Sequence, residues 1–180
     1  MSRAIIILAE GFEETEAITC IDLLRRADIS TTVLGLESLE ITGSHEVTII
    51  ADSLLKDFSD DFDAIILPGG MPGSNNLAQS QSVLDLAKKA NSKGKLCAAV
   101  CAAPLVFEKA GLLKGVKATC YPAFEEKLNE ADYQKQRVVK DQNIITSQGL
   151  GTSIEFALKI IESLSNKETA DKIGSSILYC

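Results

Sequence analysis

The sequence predicts an α/β fold, a three-layer sandwich in which a mostly parallel β-sheet carries helices on both faces. Short runs of Ile, Val, Leu and Ala alternate along the chain with stretches of helical periodicity, the order that βα units produce. Those runs are apolar throughout, which suits strands buried on both sides. At 180 residues, 46% of them apolar, the chain has the size and composition of one domain spanning residues 1–180. No repeat, linker or low-complexity segment interrupts it.

Taken in order, Ala4–Leu8 is the first strand. Its apolar stretch ends at Ala9 and Glu10 follows, too short and wrongly flanked for a signal peptide. Glu13–Ala27 reads as a helix, then Thr31–Gly35, Val47–Ile50 and Ala64–Leu67 as strands. Val83–Ser92 is helical, Leu96–Val100 a strand, and Ala103–Ala110 a helix with Pro104 in its first turn, where a missing N–H costs nothing. Ile144–Thr146 closes the strand series before helices at Ile154–Ser163 and Lys167–Leu178. Lys117–Cys120 and Arg137–Val139 are short extra strands.

Composition excludes several functions. With 18 basic against 25 acidic residues the net charge is −7, the wrong sign for a nucleic-acid-binding face. The longest apolar run, Lys95–Phe107, is too short to cross a bilayer and contains Pro104. Five cysteines (Cys20, Cys97, Cys101, Cys120 and Cys180) without regular spacing form no disulfide framework and suit a reducing cytoplasm. There is no CxxC and a single histidine, His45, so a zinc site of the usual Cys/His kind lacks ligands. Neither metal nor cofactor is expected.

In such folds the site lies outside the carboxyl ends of the strands, near a topological switch point. Four segments then converge there: AEGFEETE, PGGMPGS, CAAP and SQGLGTS. Within them Ala99-Val100-Cys101-Ala102-Ala103 has the small-x-nucleophile-x-small spacing of a nucleophile elbow between strand and helix. A thiol there would face a helix N-terminus, which favours the thiolate and lowers its pKa. A buried structural cysteine is the competing reading, and it fits Cys97. On a helical wheel Glu16 falls within the apolar arc of Ala17, Cys20, Ile21, Leu23 and Leu24. A carboxyl on a buried stripe either has a partner and a raised pKa or marks a misread helix phase. Gly69-Gly70 lets the backbone approach a bound group, with N–H groups for an oxyanion. An ordinary tight turn explains the same residues. Gly149-Leu150-Gly151-Thr152 reads as a turn plus a helix cap.

Together AEGFEETEA, LPGGMPG, AAVCAAP and TSQGLGTSIEFAL resemble the ThiJ/PfpI superfamily, in the branch of the parkinsonism-associated deglycase and its bacterial YajL-type relatives. The resemblance covers essentially the whole chain. It implies a flavodoxin-like sandwich, a homodimer, Cys101 as the reactive cysteine, and Glu16 as a buried acid bonded to its sulfur. It also implies an oxyanion-type pocket from the Gly70 and Ala102 amides, beside Gly69. The parkinsonism-associated members carry a histidine before the proline that here is Pro122; this chain has Tyr121 there, a candidate contact at the pocket. His45 matches a position that in the dimeric relatives reaches toward the partner's pocket, and an ordinary surface histidine is the competing reading.

The activity implied is glyoxalase- or deglycase-type chemistry on methylglyoxal, glyoxal or glycated protein adducts, without a cofactor. A redox sensor or chaperone whose Cys101 oxidises to sulfinate is the alternative. A cysteine peptidase or amidotransferase needs a base histidine, usually after the cysteine, and His45 precedes it.

Overall fold

In the computed structural model, which describes residues 1–179, the chain runs β1 (Arg3–Leu8), α1 (Glu14–Arg26), β2 (Ser30–Gly35), β3 (Glu40–Thr42), β4 (Thr48–Ile50), β5 (Ser53–Leu54) and β6 (Ala64–Leu67). It continues through α2 (Gly73–Gln79), α3 (Gln81–Ser92), β7 (Leu96–Val100), α4 (Pro104–Lys109), β8 (Lys117–Ala118) and β9 (Asp132–Tyr133). The last elements are β10 (Val138–Asp141), β11 (Ile144–Ser147), α5 (Ser153–Leu164) and α6 (Lys167–Ser176). Cys180 lies outside the described residues.

The main sheet has the order β10-β11-β7-β6-β1-β2-β5. Every pairing in it is parallel except that of β10, antiparallel to β11 at the edge. This is the mixed, mostly parallel sheet the sequence predicts. In β1 the side-chain period of two sends Ile5 and Ile7 to one core and Ala4, Ile6 and Leu8 to the other. The first core is closed by α3 through Val83, Leu84 and Ala87 and by α4 through Val106 and Phe107. The second is closed by α1 through Ala17, Cys20 and Leu24 and by α5 through Phe156, Ile160 and Ile161. An apolar run buried on both faces is therefore what a central strand of this sheet requires.

Helix ends follow local chemistry. α1 has Glu14 and Glu16 in its first turn and Arg25 and Arg26 in its last, which complements the helix dipole at both ends. Ser80 caps α3 by accepting from Val83 N–H, and Asn166 caps α6 by accepting from Thr169 N–H. Among the described residues no helix is long and apolar enough to cross a membrane.

Several elements depart from expectation. The run Val47–Ile50 does not join the main sheet: β4 pairs antiparallel with β3 in a separate ribbon. The outermost position next to β2 belongs instead to the two residues of β5, too short a strand to leave a periodic signal. Lys117–Cys120 shrinks to β8, paired with β9 outside the main sheet. Residues 73–79, within and after the glycine-rich segment, coil into α2, where the Gly and Asn content obscures a helix.

β1 leads outward to β2 on one side, and β6 leads to β7 on the other. The switch point therefore lies between β1 and β6. Since β1, β6, β7 and β11 run parallel, the segments after them open on one edge of the sheet, as predicted.

Candidate active site

Cys101 follows β7 directly and takes φ +63, a left-handed conformation that a side-chain-bearing residue adopts only when its surroundings enforce it. Two backbone bonds do so. Cys101 N–H donates to Ser147 O at 2.9 Å, and Tyr121 N–H donates to Cys101 O at 2.8 Å. Ala102 and Ala103 are fully buried beneath the turn. Pro104 then opens α4 at its first position.

Glu16 enters from α1 and is fully buried. Its Oε2 accepts from Gly69 N–H at 2.7 Å. Oε1 is buried with no hydrogen-bond partner, and the Cys101 thiol stands close enough for the two groups to shift each other's titration. Gly69 is what lets them meet. A Cβ on it would lie 2.5 Å from Cys101 Cβ and 2.7 Å from Glu16 Oε2, closer than atoms pack, so only glycine fits between acid and thiol. Its N–H is spent on the carboxylate, which corrects its assignment as an oxyanion donor. The Gly70 N–H, from a glycine at φ +88, and the Ala102 N–H are the amides that reach the Cys101 sulfur.

Burial raises the Glu16 pKa to about 7, against the opposing pull of the Gly69 N–H and the thiol. Burial also pushes the Cys101 thiol up to about 12, helped by the Glu16 charge and its hydrogen bond and opposed by the Ala102 and Gly70 amides. The expectation of a thiol pKa depressed by the helix N-terminus is therefore corrected. α4 has only six residues, and desolvation beside a carboxylate outweighs two amide dipoles. The contribution of the Glu16 charge exists only while Glu16 is ionised. Between about 7 and about 12 the pair holds a single proton, either on sulfur with a carboxylate beside it or on Glu16 with a thiolate beside it. Cys97, buried in β7 with its thiol also raised to about 12, has no such partner.

The sequence marks Gly149 only as part of a turn, but the residue adjoins the sulfur. A Cβ there would stand 3.7 Å from Cys101 Sγ and 3.4 Å from Tyr121 Cδ2. The pattern QGLG carries no signal for this, because β11 reaches β7 only through long-range pairing. Tyr121 is half exposed and lies beside Gly149. His45 is held elsewhere, at the head of α1, with Nδ1 3.1 Å from Glu14 Oε2 and 3.6 Å from Glu13 Oε2. The structure gathers Cys101, Glu16, Gly69, Gly70, Ala102 and Tyr121 around the thiol, while within its own chain His45 stays at the head of α1.

Residues 2–163 match the DJ-1/PfpI family. Protein dj-1beta of Drosophila melanogaster is 45% identical over 179 residues, covering 97% of this chain and 96% of the relative. Its crystal structure superposes with a TM-score of 0.97 over the whole of both chains. Glutathione-independent glyoxalase DJR-1.2 of Caenorhabditis elegans is 34% identical, covering 96% of this chain and 93% of its own length. The structure described as Toxoplasma gondii DJ-1, oxidized, has a TM-score of 0.97 at 37% identity, again over all of both chains.

Proposed function

Since the chain belongs to the DJ-1/PfpI family, we propose that it is a stress-protection enzyme acting on small reactive carbonyls, with Cys101 as nucleophile and Glu16 as its proton shuttle. The observation that carries this reading is the fully buried Glu16 carboxyl, bonded to the Gly69 N–H and set across that glycine from the Cys101 side chain. The name of the 34% identical glyoxalase supports the substrate class.

For methylglyoxal the proposed steps are these. Thiolate sulfur adds to the aldehyde carbon, and the oxygen that becomes charged is stabilised by the Gly70 and Ala102 amides as it takes up a proton. The Glu16 carboxylate removes the hydrogen from that carbon and returns a proton to the neighbouring one. The former aldehyde carbon is thereby oxidised as the ketone carbon is reduced, leaving a hydroxyacyl thioester. Water cleaves the thioester, releasing a hydroxy acid and the Cys101 thiol. One acid/base group suffices, so Tyr121 in place of histidine does not impede the sequence. Glycated adducts join this route when the Cys101 sulfur displaces the protein thiol or amine from the adduct carbon, the departing group leaving with a proton from Glu16. No cofactor takes part.

A second reading uses the same thiolate as an oxidant sensor. The relative described as oxidized favours it, and a protonated Glu16 beside two amides is well placed to hold a sulfinate. Intact mass and methylglyoxal turnover, measured together before and after mild peroxide, test both readings. Turnover by the reduced protein that falls as two oxygen atoms are added at Cys101 supports the enzyme. Oxidation without any initial turnover supports the sensor and refutes the enzyme.

The chain acts as a cytoplasmic homodimer in this proposal. Ile18 of α1 and Ile50 of β4, 46% and 73% exposed, lie together with Ile21 and Ile49 on one surface hollow, an apolar face suited to a second copy. Sedimentation of Ile50→Glu as a monomer, beside a dimeric wild type, would bear this out.

A further inference from the structure

Away from the cysteine, three side chains that the proposed reaction does not use meet where α1 begins. Glu13 and Glu14 stand at the head of α1, and His45 on the turn between β3 and β4 closes over them. One oxygen of each carboxylate and one imidazole nitrogen all lie within 4.8 Å of one another. We propose that this cluster is a binding site for a divalent cation, zinc being the one it fits, with His45 Nδ1, Glu13 Oε2 and Glu14 Oε2 as ligands.

The distances carry the proposal. Zinc bonds of about 2.0–2.1 Å to nitrogen and oxygen place tetrahedral ligand atoms about 3.3–3.4 Å apart. His45 Nδ1 is 3.1 Å from Glu14 Oε2 and 3.6 Å from Glu13 Oε2. Ser44 Oγ takes the fourth corner, 3.0 Å from Nδ1, 3.3 Å from Glu13 Oε2 and 3.4 Å from Glu14 Oε2. An imidazole, two carboxylates and a hydroxyl or water form a donor set that zinc accepts, with the last position open for exchange.

Charge favours a cation as well. These are not surface acids: the side chains of Glu13 and Glu14 are only 13% and 8% exposed. Among the described residues neither forms an ion pair with lysine or arginine, and His45 is their sole cationic neighbour. The two carboxylates are met by neutral donors, the His45 and Val47 N–H groups and the Ser44 hydroxyl, and by the imidazole of the 71% exposed His45. A doubly charged ion reaching them from the His45 side adds opposite charge that the site lacks. The cage is also fixed before any ion arrives. Glu14 Oε1 accepts from His45 N–H at 2.6 Å and from Val47 N–H at 3.4 Å, which aims Oε2 at the centre. Gly43 leaves the required space, since a Cβ there would fall 2.3 Å from Glu14 Oε1.

Because His45 is the only histidine, its imidazole resonances report on this site alone. Full-length protein, with Cys101→Ser and Cys180→Ser combined to remove thiols that compete for zinc, is titrated with zinc chloride. Equilibrium dialysis and nitrogen-detected NMR of the imidazole follow the binding. We expect one zinc per chain, a displaced Nδ1 resonance with Nε2 still protonated, and affinity weakened at least about tenfold in both His45→Asn and Glu13→Gln. Thermal melts of the metal-free variants check that the fold persists. Zinc retained equally by His45→Asn, an unmoved imidazole at saturation, or no zinc retained at all would each overturn the proposal.

Discussion

Replacing Glu16 by glutamine should flatten part of the pH dependence of stability. In the folded protein burial raises the Glu16 pKa to about 7 from an ordinary 4.5. Below pH 4.5 the folded and unfolded chains both carry the proton, and the contribution to stability is fully present. As pH rises from 4.5 to about 7 the unfolded chain releases its proton while the folded chain retains it, so stability falls. Above about 7 both are ionised and the loss is complete. At about 1.4 kcal/mol per pH unit, the interval from 4.5 to about 7 amounts to roughly 3 kcal/mol. Glutamine has nearly the same shape, offers its carbonyl to the Gly69 N–H, and does not titrate. Urea unfolding of both proteins under reducing conditions across pH 4.5–8 measures the difference directly. His45 titrates in both and cancels. We expect wild type to lose about 3 kcal/mol relative to Glu16→Gln over that window. Parallel stability curves would refute the assignment of Glu16 as a buried carboxyl that stays protonated almost to neutrality.

Other consequences are as direct. Gly69→Ala places a methyl 2.5 Å from Cys101 Cβ; it should cost about 1–3 kcal/mol of stability by overpacking and abolish alkylation of Cys101, read by denaturation and intact mass. Carbonyl turnover should rise with pH through about 7, as the Glu16–Cys101 pair loses the first of its two protons, and rate profiles should keep that limb in His45→Ala. Cys97→Ser should leave turnover and the first peroxide adduct unchanged, because Cys97 lies within β7 away from the acid.

The layers of this fold are legible because its central strands are apolar throughout and its larger helices are amphipathic, so one-dimensional periodicity carries the three-dimensional answer. Glu16 is visible for the same reason: a carboxyl at Ala17's side of the wheel has to be buried, and it is. What escapes depends on distance in space. The β3–β4 ribbon is held by pairing that no local pattern announces, and Gly149 acquires its place beside Cys101 Sγ only once β11 aligns with β7. The direction of the thiol's pKa shift is hidden in the same way. The sequence displays the helix start after Cys101, but it does not display the desolvation of the thiol beside the Glu16 carboxyl.

The most direct test is the fate of methylglyoxal with fully reduced protein, followed by proton NMR. If Cys101 and Glu16 perform the proposed chemistry, wild type converts it to lactate, and Cys101→Ser yields no lactate above the protein-free background. Lactate formed by Cys101→Ser at the wild-type rate would contradict the account.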